Sequence, residues 1–264
     1  MNLQPSAEIG GYIKRVNNME KIRLQKIFTD FGIMSRRAAE KEIESGLVTI
    51  NGKVASLGDK ADPESDVILY KGRKIGGKKA ANHTYIMLNK PMGYVTTMSD
   101  EKGRKSVKEL IEDVGRRVYP IGRLDMYSEG LLLFTDDGEL ANALTHPSHS
   151  IGKIYRVKIK GTVDSTHIKK LTTPMELDGY KIRPIKAGII ASGRTDRDGN
   201  IYSTVEVTLF EGRNRQIRKM CEKCGLTVMR LCRTQVGEIT LDDLQSGKWR
   251  RLTEGEIEYL KILK

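Results

Sequence analysis

The sequence predicts an α+β fold: a small αα-β unit over residues 19–75, then a larger domain whose mixed, mainly antiparallel sheet is flanked by helices. Three observations carry this. Strand-like and helix-like runs follow one another without strict β-α-β alternation, which argues against a doubly wound parallel sheet. Two short hairpins close the first 75 residues, and Gly76-Gly77-Lys78-Lys79-Ala80-Ala81-Asn82 after them has linker composition. An Asp198-Gly199 turn lies between two long strand candidates and so pairs them antiparallel. A chain of 264 residues is long enough for two such domains.

Residues 1–18 show no sustained period, and Gly10-Gly11 and Asn17-Asn18 break any helix, so a disordered tail is expected with Met19 as a candidate natural start. Leu24, Ile27, Phe28 and Phe31 fall on one helical face, and Gly32 ends it. Ser35 is placed to cap a second helix that Gly46 terminates. Val48 to Ile50, Asn51-Gly52 and Lys53-Val54 form a hairpin with a type I′ turn, and Val67 to Tyr70, Lys71-Gly72 and Arg73 to Ile75 a second. The larger domain, 83–264, offers strands at 84–89, 131–135, 154–159, 181–190, 201–210 and 227–234. Helices are expected at 107–113, 139–144, 165–171, 216–224 and 254–262. The last opens with a Thr253/Glu256 capping box.

Composition narrows the function classes. At 38% hydrophobic the chain can bury a core, and no apolar run approaches the roughly 20 residues of a spanning helix. The first 11 residues lack the apolar core of an export signal, and three cysteines make no disulfide framework, so a cytoplasmic location is expected. Forty-six Lys and Arg against 34 Asp and Glu leave a net +12. Such a surplus favours polyanions, because each neutralised phosphate releases counterions. The segment from Glu211 to Arg233 concentrates seven basic residues against two acidic ones.

Four segments carry candidate chemistry. Arg23, Lys26, Arg36, Arg37 and Lys41 lie on or beside the first two helices, and Arg36 and Arg37 open the second, where free amides also favour phosphate. In Tyr119-Pro120-Ile121-Gly122-Arg123-Leu124-Asp125-Met126-Tyr127-Ser128-Glu129-Gly130, a polar loop feeds a strongly apolar strand, which is a rigid mount for a reactive group. Arg123 and Asp125 share a face if that loop is extended. Lys153-Ile154-Tyr155 starts a strand. In Glu211-Gly212-Arg213-Asn214-Arg215-Gln216-Ile217-Arg218-Lys219-Met220, a strand turns into a cationic helix. Ile217, Met220, Cys221 and Cys224 form that helix's buried stripe, so the lone Cys-x-x-Cys is core and not a zinc or redox site. His146 and His149 read as surface residues.

Residues 21–70, with Ser35-Arg36-Arg37 and Val48-Thr49-Ile50-Asn51-Gly52, resemble the S-four-type (αL) RNA-binding domain. Lys90-Pro91-x-Gly93, Gly122-Arg123-Leu124-Asp125, Lys153-x-Tyr155 and the Glu211–Met220 motif, in that family's order, resemble the RsuA/RluB/RluE/RluF ribosomal pseudouridine synthases. Asp100 to Lys105 and Arg213 to Gln216 look closest to the RluB and RluF large-subunit type, RluB first. The resemblance implies isomerisation of a uridine in 23S ribosomal RNA, by a monomer, with no membrane, metal or cofactor. Asp125 would be the catalytic carboxylate, acting as nucleophile or proton acceptor. Arg218 would pair with it, and Tyr155 would hold the target base. Arg123 would fill the space of the flipped nucleotide or pin its phosphate. Arg213, Arg215 and Lys219 would join the αL cations on RNA. The alternative from another class is a ribosome-assembly factor that binds RNA without catalysis.

Overall fold

The computed structural model describes residues 21–77, 82–146 and 149–263. The expected tail at 1–18, Met19 and most of the linker lie outside them. The chain divides into two units, Met1–Ala80 and Ala81–Lys264.

In the first unit, β1 (Ile22–Arg23) leads into α1 (Leu24–Asp30) and α2 (Arg36–Glu44). The expected cap is present, since Ser35 Oγ accepts from the Ala38 amide at 3.2 Å. β2 (Val48–Ile50) and β3 (Lys53–Val54) follow, then β4 (Lys60–Ala61), β5 (Ile68–Tyr70) and β6 (Arg73–Ile75). Both hairpin turns put two residues at positive φ, Asn51 at 49° with Gly52 at 82°, and Lys71 at 49° with Gly72 at 75°. That is the type I′ geometry, which matches the right-handed twist of the flanking strands. The sheet runs β3-β2-β5-β6, and β4 pairs separately with β1. Leu24, Ile27 and Phe28 of α1 and Ile43 of α2 are buried against Val48 and Ile68. Each such side chain contributes roughly 1.5–3 kcal/mol.

The second unit opens with β7 (Tyr85–Lys90). Where one helix over 107–113 is expected, two 3-10 turns stand at Val107–Leu110 and Glu112–Val114. Ile111 between them has φ −132°, outside the helical region, which stops an α-helix from continuing. β8 (Tyr119–Pro120), β9 (Glu129–Thr135), α3 (Gly138–Thr145), β10 (Lys153–Lys160) and α4 (Ser165–Thr172) come next. The strand expected at 181–190 is broken. β11 (Glu176–Leu177) pairs with β12 (Tyr180–Lys181), and β13 (Lys186–Thr195) begins only after Pro184, which has no N–H for a ladder. β14 (Ile201–Leu209), α5 (Gln216–Lys223), β15 (Val228–Val236), β16 (Ile239–Thr240), β17 (Trp249–Arg251) and α6 (Glu254–Ile262) complete the order. β13 and β14 pair antiparallel, as the Asp198-Gly199 turn predicts.

The main sheet has the order β13-β14-β10-β15-β9-β7-β17. Its pairings are antiparallel except that of β9 with β15. That exception depends on Gly130, at φ 101°, where a Cβ would overlap the Arg233 carbonyl. Leu132, Phe134, Val157, Val205 and Val207 face Ile217, Met220 and Cys221 of α5. On the other side Met87, Leu131 and Leu133 meet Leu140 and Leu144 of α3 and Leu260 of α6. β9 is thus covered on both faces, which is why its sequence is a continuous apolar run and not an alternation.

Candidate active site

The loop from Ile121 to Ser128 is held by the end of β7 and the segment that follows it. Lys90, fully buried at the end of an apolar strand, donates from Nζ to three carbonyls, Pro91 at 3.0 Å, Asp125 at 3.2 Å and Ser128 at 2.8 Å. Thr96 Oγ1 donates to the Leu124 carbonyl at 2.7 Å and accepts from the Leu124 amide at 3.2 Å. Gly93 N–H donates to the Met126 carbonyl at 2.8 Å, and the loop's own Ser128 amide to the Asp125 carbonyl at 3.0 Å. The backbone on both sides of Asp125 is therefore fixed while its half-buried side chain remains available. Burial pushes the Lys90 ammonium down to about 8, with Asp125 and Glu129 opposing the shift.

A cavity of about 310 Å³ opens beside this loop. Its wall includes Arg123, Asp125 and Ser128 of the loop, Lys153 and Tyr155 of β10, and the Arg213–Ile217 turn. Three stretches far apart in sequence converge there, because β10 sits between β14 and β15, and β15 lies against β9. Tyr155 and Lys153 are two residues apart on one strand and so share the face turned to the cavity. Arg215 holds a left-handed backbone at φ 52° at the start of α5, the conformation that turns the chain there. Gln216 locks this turn, its Oε1 accepting from the Arg213 amide at 3.1 Å and its Nε2 donating to Glu211 at 2.9 Å.

Arg218 departs from the expected pairing. Among the described residues no ion pair within 4.0 Å joins it to Asp125; its Nη2 instead donates to the Tyr127 carbonyl at 2.6 Å, two residues further along the same loop. Burial lowers the Arg218 guanidinium first, Arg215 adds to this, and the Asp125 carboxylate opposes it. The two groups feel each other's charge without touching. Arg218 does not line the cavity, whereas Arg123, Asp125, Tyr155, Arg213 and Arg215 do.

The remaining cations divide by partner. Lys219 is bound to Asp178, and Arg213 lies over the Tyr180 ring at 3.0 Å. In the first unit Lys26 is paired with Asp30 at 2.7 Å, and Arg23 donates to the Gly58 carbonyl at 2.6 Å. Arg36, Arg37 and Lys41 are exposed on α2, with no ion pair within 4.0 Å among the described residues. His146 is exposed as expected, but His149 is half-buried. No group of three metal-binding side chains is found among the described residues. Sequence reasoning passed over Lys90, Lys153, Ser128 and Arg233 as site residues. Two of them stood inside matched motifs, and a lysine closing an apolar strand was the available signal.

The profile of the RNA pseudouridylate synthase family matches residues 84–223, and that of the S4 domain matches residues 22–68. The ribosomal large subunit pseudouridine synthase B of Bacillus subtilis is 39% identical, over 91% of this chain and 96% of its own. The dual-specificity RNA pseudouridine synthase RluF of Escherichia coli is 36% identical, over 92% of this chain and 79% of its own. A pseudouridylate synthase crystal structure superposes with a TM-score of 0.63 at 29% identity, covering 90% of this chain and 99% of that one.

Proposed function

The chain belongs to the RNA pseudouridylate synthase family, and from that premise we propose that it isomerises one uridine of 23S ribosomal RNA with Asp125 as the carboxylate acting on the sugar. The observation that carries this is a cavity in which one carboxylate, on a loop clamped through its backbone, faces Tyr155 and a rim of arginines. The named large-subunit relatives support the choice of RNA, the synthase B type before RluF. A ribosomal substrate puts the site of action in the cytoplasm, with the chain working as a monomer.

Pseudouridine formation breaks the bond between N1 of uracil and C1′ of ribose, turns the base, and rejoins it through C5. Nothing is oxidised and no group is imported, so the residues themselves must do four things. They must extract the nucleotide, hold its base, act on its sugar and keep the acting carboxylate ionised. Extraction of a stacked base costs a few kcal/mol. Arg123, exposed at the mouth of the cavity, is suited to occupy the gap or hold the turned phosphate. Tyr155 supplies a flat ring against the base. A desolvated carboxylate tends to take up a proton, and a cation nearby opposes this. Arg218 feels the Asp125 charge through space, and it pins the loop through Tyr127. Arg213 and Arg215 on the rim, with Arg36, Arg37 and Lys41 of the αL unit, contact phosphates, which position RNA without reading its sequence. Lys26 and Lys219 each share their charge with an acidic partner, which weakens their pull on phosphate.

The test is Asp125→Asn, which keeps the shape and removes the charge. Turnover, followed as tritium released from uracil labelled at C5, is expected to vanish while RNA binding persists. Activity within tenfold of wild type, a barrier change of only about 1.4 kcal/mol, refutes the assignment. An RNA-binding assembly factor without catalysis is the outcome if the wild-type protein binds ribosomal RNA yet forms no pseudouridine.

A further inference from the structure

The cavity wall holds a charge that the assigned roles leave without use. Lys153 lines the cavity two residues before Tyr155, and its Nζ donates to the Ile151 carbonyl at 3.2 Å. No carboxylate lies within 4.0 Å of it among the described residues. Arg233, a second cation in the same wall, lies across from Tyr155 on β15, is 3% exposed and donates from Nε to the Leu131 carbonyl at 2.7 Å. Structural lysines ordinarily extend their heads to water or meet an acid. Lys153, partly exposed, meets no acid and turns its head to a backbone carbonyl instead. Its ammonium is pushed down to about 8, by burial first and by Arg233 second. Two cations on one cavity wall favour an occupant that carries, or acquires, negative charge.

We propose that Lys153 is a further catalytic residue, whose ammonium binds a carbonyl oxygen of the target uracil and offsets the negative charge the base acquires when its bond to ribose breaks. The inference rests on the reaction proposed above. However Asp125 acts on the sugar, the N1–C1′ bond parts with its electron pair on the base. That charge spreads over N1 and the two carbonyl oxygens. After the base turns, C5 bonds to C1′, the C5 hydrogen leaves as a proton and N1 takes one up, so no external reagent is needed. Throughout, Lys153 keeps its own proton and acts as a fixed positive donor beside the ring that Tyr155 holds. A donor preset where charge develops, in a site with little water, stabilises the transition state more than the ground state. The charged or titratable groups around it are Arg233 on β15, Arg213 and Arg215 in the turn before α5, Arg123 and Asp125 in the loop, and Tyr155 on its own strand. Only Asp125 among these lining residues is acidic.

The experiment measures single-turnover rate at saturating ribosomal RNA fragment, and affinity for the same fragment, from pH 6 to pH 10. Wild type, Lys153→Met and Lys153→Arg are compared. Lys153→Met is expected to react about 100-fold more slowly, the scale of losing one preset donor, with affinity within about threefold. Lys153→Arg is expected to keep its rate within about tenfold at pH 7. Wild type should lose rate as pH rises through about 8, and Lys153→Arg should not, because a guanidinium stays charged there. A wild-type rate in Lys153→Met overturns the proposal. So does an alkaline decline that persists in Lys153→Arg, since it then belongs to Lys90, the other lysine held near 8. Should Lys153→Met fail to fold, the pH profile of Lys153→Arg decides alone. A wild type that forms no pseudouridine sinks the proposed function, and this inference with it; an active wild type with an equally active Lys153→Met sinks only the inference.

Discussion

Replacing Lys90 by Met keeps the length of the side chain and removes its three donors. Two effects oppose each other. The fall of the ammonium from 10.5 to about 8 corresponds to roughly 3 kcal/mol of penalty for holding a charge there, at 1.36 kcal/mol per pH unit. Methionine removes that penalty. It also strands the carbonyls of Pro91, Asp125 and Ser128, at about 1–3 kcal/mol for each buried acceptor left unpaired. The second effect is the larger, so Lys90→Met should lose roughly 3 kcal/mol of stability. Catalysis should suffer more than stability, because the freed loop carries Asp125 and a misplacement of about 1 Å can cost on the order of 100-fold. The pH dependence has a definite sign. The folded state releases the Lys90 proton near 8, whereas the unfolded chain keeps it to 10.5. Between those values the unfolded state binds more protons, so this lysine makes stability rise with pH, and Lys90→Met should flatten that rise. Urea denaturation at pH 7 and pH 10 measures the loss of stability and its pH dependence, and single-turnover rate at saturating RNA measures the loss of catalysis. A folded Lys90→Met with a rate within threefold of wild type refutes the account of a clamped loop.

Arg218→Ala should lower the single-turnover rate far more than affinity, because it removes both the Tyr127 contact and the cation that Asp125 feels; collapse of affinity with an unchanged rate would make Arg218 a phosphate contact only. Removing residues 1–79 should weaken RNA binding and lower the slope of log affinity against log salt by about 0.9 for each lost duplex phosphate contact. The rate on bound RNA should change little, and a truncated chain that binds normally would show that the αL unit is not an anchor.

Much of this protein was legible in the chain itself, wherever the determinant is local. Ser35, Asn51-Gly52, Lys71-Gly72 and Thr253/Glu256 each act over four residues or fewer, and the structure has the caps and turns they predict. Of the expected stripe Ile217, Met220 and Cys221 are buried as their spacing requires, while Cys224, at the C-cap beyond the last turn, is only half-buried. Pro184 was visible too, and the broken strand after Lys181 shows its weight underestimated. The Gly-Arg-Leu-Asp loop stood out as a mount for chemistry, but nothing in its residues says what holds it. That was decided by long-range contacts: Lys90 reaches 35 residues to Asp125, and Arg218 reaches 91 to Tyr127. The expected Arg218–Asp125 ion pair failed on the same ground, since a guanidinium takes whichever oxygen the packing of α5 brings into reach. Lys153 and Arg233 read as ordinary strand residues until β10 and β15 bring them to one cavity wall. A side chain's burial and neighbours, and hence its proton affinity and chemical use, are properties of the packed sheet and not of the strand that carries it.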